Sequence, residues 1–354
     1  LFDKDSSTPL WSYSTASYVN SVAISADSEY IAVGTAGWDG EVYLFDKDSS
    51  TPLWSYEIGS NVASVAISAD GEYIVVGSDK VYLFDKDSST PLWSYLTGDV
   101  VYSVSISADG KYIAAGSQDT KVYLFDKDSS TPLWIYDNEG AVRSVAISAD
   151  GEYIAAGSED AKVYLFDKDS STPLWSYESE SVVRSVAISA DGEYIVAGSA
   201  YPAGGDHKVY VFYKYSSTPL WSYETGATVS SVAISADGEF IAAGSRDDKV
   251  YFFHTDSSAL LWSHTTGDDM SSVAISADGA YIAAGSADYK VYALQHRPSI
   301  HGTGIAISTV VAAEVGGLQV RDITVRNTTS HGIATLSTAS DFILERVHVS
   351  QTGS

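Results

Sequence analysis

The sequence predicts an all-β protein: a seven-bladed β-propeller over residues 1–296, followed by a β-helix-like segment over 297–354. Three observations lead there. A fifteen-residue phrase, SVAISADGEYIAAGS at Ser144 to Ser158, recurs seven times, with its valine at Val22, Val65, Val104, Val145, Val186, Val232 and Val273. The spacings are 43, 39, 41, 41, 46 and 41 residues. Each unit holds four short apolar runs and no helical periodicity, and four strands at a period near forty are the signature of a propeller blade.

The unit from Ser144 to Tyr177 shows each element in order. Ser144 to Ser148 alternates small and branched residues, as a strand near a crowded axis requires. Ala149-Asp150-Gly151 is a turn, because Asp closes local hydrogen bonds and Gly accepts positive φ without strain. Tyr153 to Gly157 is the second strand and Val163 to Phe166 the third. Asp167 to Pro173 turns the chain, and Leu174 to Tyr177 is the outer strand.

Counting predicts how the ring closes. Outer strands carry Trp11, Trp54, Trp93, Trp134, Trp175, Trp221 and Trp262. The first precedes the first inner strand, and none follows the last unit, Ser272 to Leu294. Pro9 to Tyr13 is therefore expected to complete the seventh blade and remove its open edge. Leu1-Phe2 duplicates a third strand already present at Val291 to Leu294, which suggests an upstream segment or a strand exchanged between molecules.

The first phrase resembles the opening two strands of WD-repeat propellers, without their Gly-His and Trp-Asp dipeptides at the expected places. Lys-Val-Tyr-Leu-Phe-Asp, with Leu-Trp-Ser-Tyr-Glu-Thr-Gly at Leu220 to Gly226, resembles the quinoprotein, or PQQ-like, repeat. The resemblance covers residues 1 to about 295 and implies a propeller fold. The adjacent cysteines of many quinoprotein alcohol dehydrogenases have no counterpart in a chain without cysteine, so that activity is not implied.

After Pro298 the repeat stops. Gly304 to Ile307, Gly317 to Val325, Gly332 to Leu336 and Phe342 to Val349 are short alternating runs separated by polar turns at a period of twenty-odd residues. They resemble pectate-lyase-like or carbohydrate-binding parallel β-helices. About two coils bury too little to stand alone, which implies a longer natural chain or a partner.

Composition narrows the function. A net charge of −26 excludes a nucleic-acid partner, whose phosphates select Lys and Arg. No apolar run is long enough to insert into a membrane. The charge is uneven: the turns between first and second strands sum to −11, those between third and fourth to −5, and 297–354 is neutral. Asp-x-Asp turns at Asp46 and Asp48, Asp85 and Asp87, Asp126 and Asp128, and Asp167 and Asp169 offer hard oxygens suited to weak Ca²⁺ binding. They lack the sharp-turn Gly and closing Glu of a dedicated calcium loop, and Asp and Ser are also ordinary turn formers. No other cofactor is indicated.

The two faces of the repeat differ. Turns one–two and three–four are nearly constant, whereas the loops between second and third strands and the crossovers between blades vary. The crossovers end in Asn20, Ala63, Tyr102, Arg143, Arg184, Ser230 and Ser271; the loops contribute Trp38, Gln118, Glu159, Tyr201, His207, Arg246 and Tyr289. Variation confined to one face of a rigid scaffold marks a binding surface, and drift in recently duplicated loops would look the same. Arg143 and Arg184 beside Tyr102 suit an acidic or sugar ligand.

No catalytic constellation stands out. Carboxylates are everywhere, the seven histidines show no metal spacing, and no nucleophile elbow is present. The expected function is a non-enzymatic exported or cell-surface propeller, a rigid scaffold in a larger envelope, adhesive or filamentous assembly, with other subunits and self-association as its partners. The lone glycosylation sequon, Asn327-Thr328-Thr329, points weakly the same way. The alternatives are an extracellular carbohydrate-binding or carbohydrate-cleaving protein and a soluble interaction hub.

Overall fold

A computed structural model describes residues 1–3, 6–200 and 205–296, together with the backbone of Val310–Glu314, Gly317–Leu318, Ile323–Val325 and Val347–Val349. The sequence unit is the structural unit. Val19–Ile24, Tyr30–Thr35, Glu41–Asp46 and Trp54–Glu57 form an antiparallel sheet in sequential order. Five more four-stranded sheets repeat this order, and a last sheet begins with Met270–Ile275, Tyr281–Ser286 and Val291–His296. The chain is thus all-β, built of repeated sheets that fit a propeller.

Third strands sit between neighbouring sheets. In Lys162–Asp167, Val163, Leu165 and Phe166 are fully buried and Tyr164 nearly so. A strand covered on both faces reads as a continuous apolar run, which is why the Val-Tyr-Leu-Phe motif does not alternate. Fourth strands alternate, since one face meets solvent: Trp175–Glu178 runs half-buried, exposed, half-buried, exposed.

Three contacts recur from junction to junction, the third of them missing at the last. The first is a notch: a Cβ on Gly157 would lie 2.6 Å from Val183 Cγ1, so only glycine lets the next sheet's valine approach. Beside it the Val186 N–H donates to Ser144 Oγ of the preceding sheet at 3.0 Å. At the rim the Trp134 indole N–H donates to the Lys168 carbonyl at 2.8 Å, with its ring 5.3 Å from Phe166.

The constant face is constant for a structural reason. In the Ser148 to Tyr153 turn, Asp150 Oδ1 accepts from Ser148 Oγ at 2.6 Å and from the Glu152 N–H at 3.0 Å, and Gly151 has φ 75°. The neighbouring Ala149 N–H donates to the Ala190 carbonyl of the next sheet at 2.9 Å. The same bond runs Ala69 to Ala108, Ala108 to Ala149, Ala190 to Ala236 and Ala236 to Ala277. These turns hold sheet to sheet, and a change in one strains its neighbour.

The ends of the array differ from its middle. Val22 is 62% exposed where its counterpart Val145 is 5% exposed, and among the described residues nothing lies within 4 Å of a Cβ built on Gly285. Pro9 to Tyr13 does not complete the last sheet, contrary to the sequence expectation. Val310–Glu314 pairs with Val291–His296 instead, and Leu10 donates to the Leu1 carbonyl at 2.9 Å beside a Phe2–Pro9 bridge. The reason is proximity: Leu1-Phe2 supplies a third-strand partner a few residues away, whereas the last sheet lies across almost the whole chain, and loop-closure entropy favours the short connection. This hairpin packs Leu1 and Trp11 on Tyr43, Phe45 and Ile31 of the first sheet, so Trp11 makes the ordinary inter-sheet contact.

Of the expected β-helix, most lies outside the described residues. Ile323–Val325 and Val347–Val349 pair in parallel, Ile323 opposite Val347.

Candidate functional site at the axial mouth

In six of the seven sheets the first strand contains a register shift at one residue: Asn20, Tyr102, Arg143, Arg184, Ser230 or Ser271. A β-bulge inserts an extra residue, breaks the in–out alternation and re-aims the side chain. Here the bulges sit just before the inward Ser-Val pair, at the axial end of each sheet. The sequence read these positions as crossover ends and missed that each is a bulge; the signal was an extra residue between an apolar residue and the Ser-Val pair, as in Val142-Arg143-Ser144.

Five of these residues converge. Asn20, Tyr102, Arg143, Arg184 and Ser230 line one open depression of about 310 Å³, with Ala63 and Asn61. Ser271 is not part of its lining. Asn61 was not among the sequence candidates; its Oδ1 accepts from Asn20 Nδ2 at 2.8 Å, and the Val62 carbonyl accepts from the same group at 3.1 Å.

The arginines are in different states. Arg143 Nε donates to Glu159 Oε1 at 2.7 Å, its second nitrogen donates to the same oxygen, and its guanidinium lies 4.2 Å from the centre of the Tyr102 ring. Tyr102 in turn donates its hydroxyl to Gln118 Oε1. Arg184 has no such tie: among the described residues, no carboxylate forms an ion pair with it. Partial desolvation of an otherwise exposed side chain, then the nearby Arg246 and Arg143 cations, hold its pKa below the usual guanidinium range, partly offset by Glu159. It remains a cation at any physiological pH.

The other candidates lie apart. Trp38 and Tyr289 are 97% and 101% exposed, on loops of the first and last sheets. Tyr289 holds φ 66°, where equivalent loops place Thr120, Ala161 and Asp248 in the same left-handed region. Arg246 lies 4.0 Å from Asp269, which groups with Asp248 and Asp268 so that one oxygen of each falls within 4.8 Å of the others. His207 is half-buried; its carbonyl accepts from Thr225 Oγ1 at 2.8 Å, and its Nδ1 is buried without a partner among the described residues. Tyr201 lies outside the described residues.

The Asp-x-Asp turns use part of their carboxylate oxygens locally. Asp167 Oδ1 accepts the Asp169 N–H at 2.9 Å, and Asp169 pairs with Lys168 at 2.8 Å; Asp85 and Asp87, Asp46 and Asp48, and Asp126 and Asp128 repeat this with Lys86, Lys47 and Lys127. The three-carboxylate group among the described residues includes none of them.

The PQQ-like repeat family described as outer membrane protein assembly factor BamB matches residues 1–148 and again 118–315. The chain belongs to this family. Its repeats account for the four-stranded sheets and for the Val-Tyr-Leu-Phe and Leu-Trp motifs of this PQQ-like protein. No curated protein matches the chain.

Proposed function

We propose that this PQQ-like protein is a non-enzymatic scaffold of the cell envelope, exported or surface-exposed, that binds a partner protein at its axial mouth within a larger assembly. In this reading the seven sheets are the seven blades of the platform, and 297–354 is an appended β-helix-like segment that extends its contacts.

One observation carries the reading. The bulged positions of successive sheets bring different side chains to one depression, while the opposite face repeats the same turns and uses them to hold sheets together. Binding diversity thus has one place to reside. The lining consists of amides, an alcohol, a phenol and guanidiniums, and the adjoining carboxylate Glu159 is held by Arg143, which suits recognition better than proton transfer. The family's description names outer-membrane assembly, which supports an envelope setting.

The test is site-specific photo-crosslinking in cells. A photoreactive residue at Ala63, in the depression, is expected to yield a discrete protein adduct in the envelope fraction, and one at Ser130, on the opposite face, none. Equal adducts from both sites, or none from Ala63, would sink the reading.

The exposed Trp38 and Tyr289 rings favour a second reading, carbohydrate binding at the rim, since an aromatic face is an apolar platform for a sugar ring. Retention on immobilised polysaccharide, lost in Trp38→Ala and Tyr289→Ala, would support it.

A further inference from the structure

We propose that the axial depression seats the single carboxylate of an otherwise neutral peptide segment, with Arg184 as its direct partner and Ser230, Asn61 and the Arg143–Tyr102 pair forming the walls. This rests on the axial mouth being the face that binds a partner.

The first argument is charge. In a chain of net charge −26, Arg184 has no ion-pair partner among the described residues, although carboxylates are abundant. Arg184 is flanked by Arg143 and Arg246, and each neighbour already has an acidic companion, Glu159 and Asp269. The cation therefore stands in a repulsive field that a bound anion would relieve. A guanidinium presents a planar fork of donors that matches a carboxylate with two parallel hydrogen bonds.

The second argument is independent of charge. Ser230 lines the same depression, and its Oγ, covered from solvent, has no hydrogen-bond partner among the described residues. A buried polar atom left unpaired is costly and marks a group awaiting a ligand or water. Asn61 spends its carbonyl oxygen on Asn20, which leaves its amide as a donor. Guanidinium, hydroxyl and amide donors around one space describe an oxyanion site.

Size and surroundings select the source of that oxyanion. About 310 Å³ is at the small end of ligand pockets and holds a side chain or two. A polyanion is repelled by the field of the whole protein in proportion to its charge, whereas one carboxylate in a neutral segment is repelled least and still gains the local cation. The Tyr102 ring, which a sugar would need as a platform, is capped by the Arg143 guanidinium at 4.2 Å.

The experiment is selection of a displayed hexapeptide library on the full chain, with the Arg184→Gln chain as counter-target and a polyuronate oligosaccharide as second probe. Arg184 is exposed on a bulge, so Arg184→Gln is expected to fold as the parent does, checked by its melting curve. The expected result is enriched peptides with one obligatory Asp or Glu. Their binding should weaken about ten- to a hundredfold on Arg184→Gln, or on changing that acid to its amide, and should fall with added salt. Arg184→Lys should restore only part, since the ammonium lacks the fork. Peptides without an acidic position, peptides bound equally by Arg184→Gln, no enrichment, or Arg184-dependent binding of the oligosaccharide alone would each overturn the proposal. A crosslinked partner at Ala63 that persists in Arg184→Gln would overturn it too, while leaving the axial binding face intact.

Discussion

The Arg143 guanidinium lies 4.2 Å from the centre of the Tyr102 ring on the preceding sheet while its Nε holds Glu159 at 2.7 Å. One side chain thus ties two sheets at the axial mouth and keeps a carboxylate occupied. Cation–π contacts and ion pairs at partly exposed sites each contribute little, so Arg143→Gln should cost no more than about 1 kcal/mol in urea unfolding. Its larger effect should fall on peptide binding, because the released Glu159 can then compete for Arg184. The double change Arg143→Gln with Glu159→Gln should recover part of that loss, and equal binding by single and double variants would refute the competition.

Tryptophans at equivalent positions should not be equivalent in energy. Trp134 donates to the Lys168 carbonyl, whereas the buried Trp262 stacks 4.8 Å from Phe252 of its own sheet and its indole nitrogen has no partner among the described residues. Leu294 stands in the last sheet where Phe166 receives Trp134, and without that ring Trp262 turns inward. Trp134→Phe should therefore lower stability by about 1 kcal/mol, the worth of a hydrogen bond. Trp262→Phe should cost less or nothing, since it removes an unsatisfied group. Chemical denaturation of the two variants side by side checks the order.

Glycines at the same repeat position should also part company. Gly157→Ala places a methyl 2.6 Å from Val183 Cγ1 and should destabilise by about 1–3 kcal/mol through overpacking. Gly285→Ala meets nothing within 4 Å among the described residues and should stay within about 0.5 kcal/mol of the parent. A loss at Gly285 as large as at Gly157 would show that another sheet face covers it in solution.

Acid should weaken the last sheet first. Burial, and then the nearby His254, holds the His296 pKa below its ordinary 6.5. The folded form thus keeps this imidazole neutral where the unfolded chain protonates it. The stability it supports is whole above about pH 6.5 and is lost as pH falls towards the lowered folded value. His296 packs 5.0 Å from Phe240 and 4.9 Å from Phe252, so His296→Phe should flatten the slope of stability against pH in that window. An unchanged slope would assign the acid sensitivity elsewhere.

Much of the fold was legible because each strand carries its own signal. The Val-Tyr-Leu-Phe run announces burial on both faces, and Ala149-Asp150-Gly151 announces its turn, through chemistry that acts over a few residues. The site was legible only as a set of variable positions. Nothing local reveals that Arg143, Arg184 and Ser230 share a space, that Glu159 belongs to Arg143, or that Ser230 lacks a partner. Those facts depend on which sheets are neighbours. Asn61 was missed because its signal, the amide of Asn20, lies 41 residues away.

The sequence by itself determined the repeat, its four strands, its family and the separation of a constant from a variable face. Each follows from short-range preference: alternation, turn chemistry and the apolar period. Only the tertiary structure decided that Leu1 and Leu10 pair with each other and leave the last sheet to Val310–Glu314. It alone decided that bulges turn the variable residues towards one axial mouth and leave Arg184 without a counter-charge. Packing between sheets sets these outcomes, and packing compares residues that the chain keeps far apart.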